Sequence, residues 1–493
     1  MPAGMSRLPP FAAAAAALMI AAFPACAAPS PAAAGPTDWA AAQRTAEALR
    51  DKALRGSEAY TLLEALTTEI GPRPAGSPAE RRAAAWAVER LKALGFENVH
   101  TESFPVAYWQ RGEERAEVLS PYPQRLVVAA LGGSVPTPPQ GVEGEIVVFH
   151  AYDDMLAAPV GSLAGKIAVV TQPMAGLQDG SGYGVAYRIR GQGAAEAAKR
   201  GAIAYLIRSL ASDERRLPHT GTMRYMPEFA GGGASGGRIP AAALSVPDAE
   251  QLDRMVARGK PVRVRLMLQN TTLQNAETQT VVADIRGRER PDETVVIGGH
   301  LDSWDLGTGA IDDGAGVAIT TAAAKLIRDL PQRPRRTIRL VLWGAEEIGG
   351  AAPAFARTHG PEEQAKMVIA SECDFGAERV IKVRLPHGAL ASPYGQALGR
   401  TLVPLKVVME RGPAQDGGAD LEGLKGVPLA ELAQDGTHYF DLHHTADDTL
   451  DKTDPREMDK AVATWAAFTW LAADTDVDFR ALAARTPQPE PSN

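Results

Sequence analysis

Cysteine is nearly absent: Cys26 and Cys373 are the only two in 493 residues. That excludes a small domain stapled by disulfides, which needs several paired cysteines to make up for a thin core. An excess of positive charge is absent too. The formal net charge is −8 and no cluster of Lys and Arg stands out, so the chain lacks the footprint of a nucleic-acid binder and of a protein held to an anionic membrane surface. Past the first thirty residues no run of 18 uncharged apolar residues occurs, and no integral membrane segment is expected once that leader is removed. No internal repeat is visible.

What is present is globular in composition, 45% hydrophobic and 22% charged, over a length that accommodates two domains with separate cores. The leader is a separate matter. Arg7 precedes an apolar run from Phe11 to Phe23, and Ala25-Cys26-Ala27 offers small residues around a cleavage point. This is the pattern of an export signal over residues 1–27, so the mature protein is expected in the periplasm or outside the cell. Cys26 is the alternative, a lipid anchor, although Phe23 and Pro24 before it fit such a site poorly.

After a Pro/Ala-rich lead-in, helical periodicity runs from Trp39 to Leu66, is broken by Gly71-Pro-Arg-Pro-Ala-Gly-Ser-Pro78, and resumes with Ala84, Val88, Leu91 and Leu94 on one stripe ahead of Gly95. Residues 99–106 read as a strand. Around residue 130 a Gly/Pro-rich stretch opens a block of short β-type runs, 142–150, 166–172, 203–208 and 262–268, with one helix near 193–200 and a Gly-rich loop at 230–237. Residues 130–270 therefore read as a β-rich insert, separating an N-terminal part (28–129) from a domain over 271–478. In that domain strands at 294–297, 337–342, 367–370 and 428–432 alternate with helices near 314–330 and 457–473. This predicts an α/β fold with a mixed, largely parallel sheet flanked by helices. Residues 479–493 are expected to form a disordered, Pro-rich tail.

The ionisable residues fall where those strands end. Gly298-Gly-His300-Leu-Asp302 follows the first, Glu346-Glu347 the second, Glu372-Cys-Asp374 the third, and His443-His444-Thr445 lies about a dozen residues past the fourth. Ligands of open α/β sheets bind at the carboxyl ends of strands, and histidine with carboxylate is the donor set of a catalytic zinc site. Asp312 could bridge two metals. Three carboxylates and a hydroxide would balance two Zn²⁺, and a metal pair of this kind activates water and clamps a developing oxyanion. Adjacent in one turn, Glu346 and Glu347 cannot easily hold the same metal, so one ligates and the other moves protons. Taken singly, each group has a plain alternative: Asp312-Asp313 could cap a helix, and Glu346-Glu347 could be a solvated turn. Five such coincidences make a site.

These segments, Gly299–Gly316, Gly344–Gly349, Ser371–Gly376 and Tyr439–Thr445, resemble the co-catalytic zinc aminopeptidase/carboxypeptidase family over nearly all of the mature chain. The resemblance implies two Zn²⁺ per chain. His300 and Asp374 would hold one and Glu347 and His444 the other, with Asp312 between them. Glu346 would be the general base and Asp302 would orient His300. His444 is preferred over His443 because the family ligand directly precedes Thr or Ser. The resemblance also implies a cis Asp312-Asp313 bond, and a protease-associated domain in the insert that lids the cleft or mediates homodimerisation. The substrate would be a dipeptide or short peptide hydrolysed by a metal-activated hydroxide, with release of N-terminal residues, as an aminopeptidase does, as the alternative. A receptor-like module without catalysis and cyclisation of N-terminal Gln are further alternatives, opposed by the intact ligand set, the Glu-Glu pair and the insert. Tyr439, Lys382 and Arg384 are candidates for gripping a substrate carboxylate. One departure concerns the pocket wall: Ile348-Gly-Gly-Ala-Ala-Pro353 replaces the family's Gly-Leu-x-Gly-Ser. Cys373, beside a ligand, reads as a small buried residue.

Overall fold

The computed structural model describes residues 36–213, 215–225 and 237–485. The expected export signal with Cys26, nearly all of the Gly-rich loop and the end of the tail lie outside them. Residues from Pro36 onward cluster as one compact unit, and among the described residues no helix is long and apolar enough to cross a membrane.

The N-terminal helical stretch is two helices, Trp39–Ala53 and Ala59–Glu69, rather than one. Between them the chain passes Gly56 at φ 126°, a conformation that glycine alone adopts freely. Helix Pro78–Ala93 starts on Ser77, whose hydroxyl accepts from Glu80 N, and it ends before Gly95 at φ 83°.

Two sheets follow, built from strands β1 (Glu97–Gln110), β2 (Glu114–Ser120), β3 (Gln124–Leu126), β4 (Val128–Ala130), β5 (Val142–Phe149), β6 (Ile167–Val170), β7 (Ala204–Arg208), β8 (Ala241–Leu244), β9 (Arg263–Leu268), β10 (Thr271–Ile285), β11 (Arg290–His300), β12 (Arg336–Trp343) and β13 (Met367–Glu372). The first sheet has the order β1-β10-β12-β11-β13. Only β12-β11 and β11-β13 are parallel; β1-β10 and β10-β12 are antiparallel. The sheet is mixed, and the parallel character is confined to the three strands nearest the site. Their central residues, Val295 to Ile297 and Leu340 to Leu342, are fully buried, as expected for parallel strands covered on both faces.

The second sheet, β3-β2-β9-β5-β6-β7-β8-β4, begins at Glu114, upstream of the compositional change near residue 130. It is an α/β layer rather than a simple β block. Strands β5 to β8 run parallel, and helix Ser181–Lys199 is far longer than the segment expected near 193–200. The layer is carried on a ribbon, because β1 and β10 pair up to Gln110↔Thr271 and β2 and β9 take up the pairing at Glu114↔Leu268. At the crossing, a Cβ on Gly112 would lie 1.9 Å from Gln269 O, so only glycine lets the two chains approach.

The expected fourth strand of the catalytic sheet is the main correction. Strand β14 (Val380–Leu385), β15 (Val408–Pro413) and β16 (Glu431–Gln434) form a separate three-stranded sheet. Its approach segment pairs with β13 of the first sheet at the bridge Ala370↔Leu429. Helix Ala315–Arg328 is buried on nearly every side, packed between β11 and β12 on one side and helices Ala59–Glu69 and Pro455–Ala473 on the other. Its many alanines and glycines allow that close approach. The tail expectation is also corrected in part. Phe479–Arg485 is a helix, anchored where Phe479 packs edge-on to Tyr394 at 4.9 Å between ring centroids.

Candidate metal centre

The register of the parallel strands puts the motif residues at one edge. His300, the last residue of β11, pairs with Trp343 at the end of β12, and Gly298 pairs with Glu372 at the end of β13. The chain then turns sharply. Ala345 (φ 65°) and His444 (φ 61°) are left-handed non-glycine residues, an arrangement that persists where surrounding structure imposes it and that gathers at functional sites. The Asp312-Asp313 bond is cis.

All five expected ligands converge. His300 Nε2 lies 3.0 Å from Asp312 Oδ1 and 3.7 Å from Asp374 Oδ1. His444 Nε2 lies 3.1 Å from Asp312 Oδ2 and 3.0 Å from Glu347 Oε2. Two triads, His300/Asp312/Asp374 and Asp312/Glu347/His444, therefore share Asp312, each with donor atoms close enough to hold one ion. Glu347 Oε1 and Asp374 Oδ1 are buried without a hydrogen-bond partner, which buried oxygens seldom are unless they coordinate. The arrangement fits a pair of divalent cations.

Electrostatics agree. Burial pushes the Glu346 carboxyl well above its usual range, with Asp374 and Glu347 adding to the push. Burial raises Glu347 to about 6 against the pull of His444. Burial opposes a charged His444, but Glu347 and Asp312 outweigh it and lift its pKa to about 9. Burial and neighbouring carboxylates thus disfavour the ionised forms of Glu346 and Glu347, while at Asp312 burial is outweighed by His300 and His444, which hold it low. Divalent cations at this place would favour the ionised forms of all three.

Asp302 does more than orient His300. Its backbone carbonyl lies 3.0 Å from His300 Nδ1, and its carboxylate accepts from the Glu346 and Glu347 amides at 3.0 and 3.3 Å. One side chain thus ties the β11 turn to the β12 turn. Asp313 combines a cap with a tie: Oδ1 accepts from Gly316 N at 2.9 Å and Oδ2 from His300 N at 3.0 Å. Cys373 is buried, with Sγ directed to Gln434 Oε1 at 3.3 Å. Lys382 and Arg384 are not at the site; they pair with Glu410, and Arg384 also with Glu431, in the small sheet. Tyr439 does line the cleft.

The sequence reading missed what the inserted layer brings. The cleft, a cavity of ≈ 560 Å³, is lined by Asp374, Asp420 and Glu422 and also by Tyr183, Tyr187, Arg190 and Arg224 of the insert. Arg190 reaches behind His444, as do His219 and Thr220. No local motif marks these residues, because tertiary folding alone brings them to the site. His219, His443 and His444 also cluster, but the Arg190 guanidinium lies 2.6 Å from His219 Nε2 and 3.1 Å from His444 Nδ1, and a cation there opposes a metal ion.

Comparison with known proteins places this geometry. Residues 280–469 match the model of peptidase family M28. The chain is similar to carboxypeptidase Q of Mus musculus, 36% identical over 423 residues, which cover 85% of this chain and 86% of that one. It is likewise similar to carboxypeptidase Q of Homo sapiens, 35% identical with the same coverage. Among solved structures it is similar to a peptidase M28 precursor from Shewanella amazonensis SB2B, with TM-score 0.85, 43% identity, and 92% of this chain and 100% of that chain covered. A zinc aminopeptidase from Bacillus subtilis shares the fold at TM-score 0.58 and 18% identity, covering 86% of this chain and 98% of that one. With both triads in place, the chain belongs to peptidase family M28 and is a metallo-exopeptidase.

Proposed function

We propose that the protein is an exported zinc dipeptidase or short-peptide carboxypeptidase that uses two zinc ions, with the inserted layer acting as a protease-associated-type domain over the cleft. The observation that carries the reading is the polarity of the cleft. Asp420 and Glu422 line it together with Arg190 and Arg224, and among the described residues neither arginine has a carboxylate within ion-pair distance. Free dipeptides are dipolar, with an ammonium and a carboxylate a few bonds apart. A cleft lined by both acidic and basic groups complements both ends.

His300 and Asp374 would hold one ion and Glu347 and His444 the other, with Asp312 between. Bound zinc supplies Lewis acidity, polarising the scissile carbonyl and lowering the pKa of water. Glu346, facing the cleft 4.0 Å from His300 Nε2, takes the proton of the attacking water and returns it to the leaving amine. Asp302 holds the Glu346 amide in place. Arg224, exposed at the cleft wall, receives the substrate carboxylate.

Metal content by mass spectrometry and hydrolysis of dipeptides with either end blocked test this reading. Two ions per chain and slow hydrolysis of C-terminally amidated dipeptides are expected. Arg224→Ala should raise KM for free dipeptides by about tenfold, the loss of one charge-assisted contact of about 1.5 kcal/mol, and leave amidated ones unaffected. Fewer than two ions in fully loaded protein would overturn the dinuclear reading. Amidated peptides cleaved as fast as free ones would favour the aminopeptidase reading, in which the acidic groups alone select an amino terminus.

A further inference from the structure

The inserted layer touches a metal ligand from behind. Thr220 pairs reciprocally with His444. Its N–H donates to His444 O at 3.0 Å, and its carbonyl lies 3.3 Å from His444 Nδ1. With Nε2 directed at Asp312 and Glu347, a ligating His444 carries its proton on Nδ1. Thr220 O is the acceptor that favours this tautomer, while Arg190 Nη1, 3.1 Å from Nδ1, is a donor facing the same atom. The backbone half of the pair also restrains His444 in its left-handed conformation.

Thr220 is itself held on several sides. It is fully buried, its hydroxyl donates to Ala130 O at 2.8 Å, and Arg111 Nη2 donates to that hydroxyl at 2.9 Å. Arg190 completes the support. Its Nη1 donates to His219 Nε2 at 2.6 Å and to Thr220 O at 3.2 Å, while its guanidinium lies over Tyr183 and Tyr187, 5.4 and 5.1 Å from the ring centroids. The His219 ring stacks on His444 at 5.0 Å with 24° between planes. The neighbouring Gly221 (φ +126°) leaves room for all of this: a Cβ there would lie 2.0 Å from Arg190 Nη1 and 2.8 Å from His444 Nδ1.

We infer that Arg190, His219 and Thr220 of the inserted layer are positioning residues that set the affinity of the metal held by His444 and Glu347, leaving the metal held by His300 and Asp374 to the catalytic domain alone. On that basis the insert is part of the metal centre as well as a wall of the cleft. The inference rests on the two-metal reading above.

The test is stepwise removal of zinc from the loaded enzyme with increasing chelator, read as ions remaining per chain, alongside the thermal midpoint of metal-free protein. Arg190→Met keeps the apolar stem, and His219→Gln keeps an acceptor near the Nε2 position. In wild type two release steps are expected; a single ion in wild type would instead defeat the two-metal reading. His219→Ala should release one ion at chelator concentrations about 10–100-fold lower, Arg190→Met should shift that same step, and both should keep the other step unchanged. His219→Gln should restore most of the shifted step. Release of both ions as in wild type would overturn the inference. So would an equal shift of both steps accompanied by a fall in the metal-free midpoint, because that pattern means general destabilisation.

Discussion

Glu346→Gln is expected to retain its metals and lose about 10²–10⁴-fold in kcat. The amide has nearly the volume of the carboxylate, so the cleft keeps its shape, and the Glu346 backbone N–H keeps its bond to Asp302. What the variant lacks is a group able to accept a proton and give it back. The loss corresponds to about 3–5 kcal/mol of barrier. The neighbouring substitution separates the two glutamates. Glu347 Oε2 lies against His444 and its Oε1 is buried and unpartnered, so Glu347→Gln should show itself first as lost metal. Steady-state kinetics and metal analysis of both variants check this. A Glu346→Gln enzyme that binds metal and works at wild-type rate would remove Glu346 from proton transfer.

The second large effect is on stability. Arg73 is fully buried, and its guanidinium donates to the carbonyls of Thr308 and Gly309 at 2.7 and 2.8 Å and also to Leu301 O. Its backbone N–H reaches Ser303 Oγ at 3.2 Å. Among the described residues it has no carboxylate within ion-pair distance; it clamps the loop between His300 and Asp312 through backbone oxygens. From the other side Asp448 O accepts from Thr308 N at 2.8 Å, and Asp448 Oδ1 accepts from Ile311 N at 2.5 Å. Arg73→Met strands several buried carbonyls, each costing about 1–3 kcal/mol. Relaxation recovers part of this, and a net loss of about 3–5 kcal/mol is expected. Arg73→Lys should rescue little, since a single ammonium cannot reproduce the planar fork. Denaturant unfolding of metal-free protein measures both, with the midpoint falling at unchanged slope. A loss below about 1 kcal/mol for Arg73→Met would show that the loop is held by other contacts.

His300, Glu347 and Asp374 were legible as candidate ligands because each sits within a few residues of a strand end marked by an apolar run, whereas Asp312 and His444 lie ten or more residues past the nearest strand and were legible through the motifs around them. Helices Ala315–Arg328 and Pro455–Ala473 were legible from their apolar residues, although both are buried well beyond one stripe. Strand β1 was visible only in part, because it alternates between half-buried and exposed residues and carries charge along its length. The pairing of β1 with β10 joins segments far apart in the chain and left no local trace. Strand β16 is only Glu431–Gln434, half of it polar, and it pairs antiparallel with β14; the run expected at 428–432 overlaps just its start, and nothing in those residues marks which strand they meet. Arg73, Arg190 and Thr220 act through backbone oxygens or from a distant layer, where residue type carries no signal.

The ribbon bearing the insert has a consequence for how the chain folds. Gln110 and Thr271 face each other, so closing the β1-β10 pair in an unfolded chain means bringing together ends separated by the whole insert, an entropic cost that grows with the logarithm of loop length. Once the inserted layer has formed, β2 and β9 already hold those ends side by side. The long-range closure then becomes the zipping of a hairpin from its base, and the catalytic sheet can assemble outward from the module it surrounds in sequence.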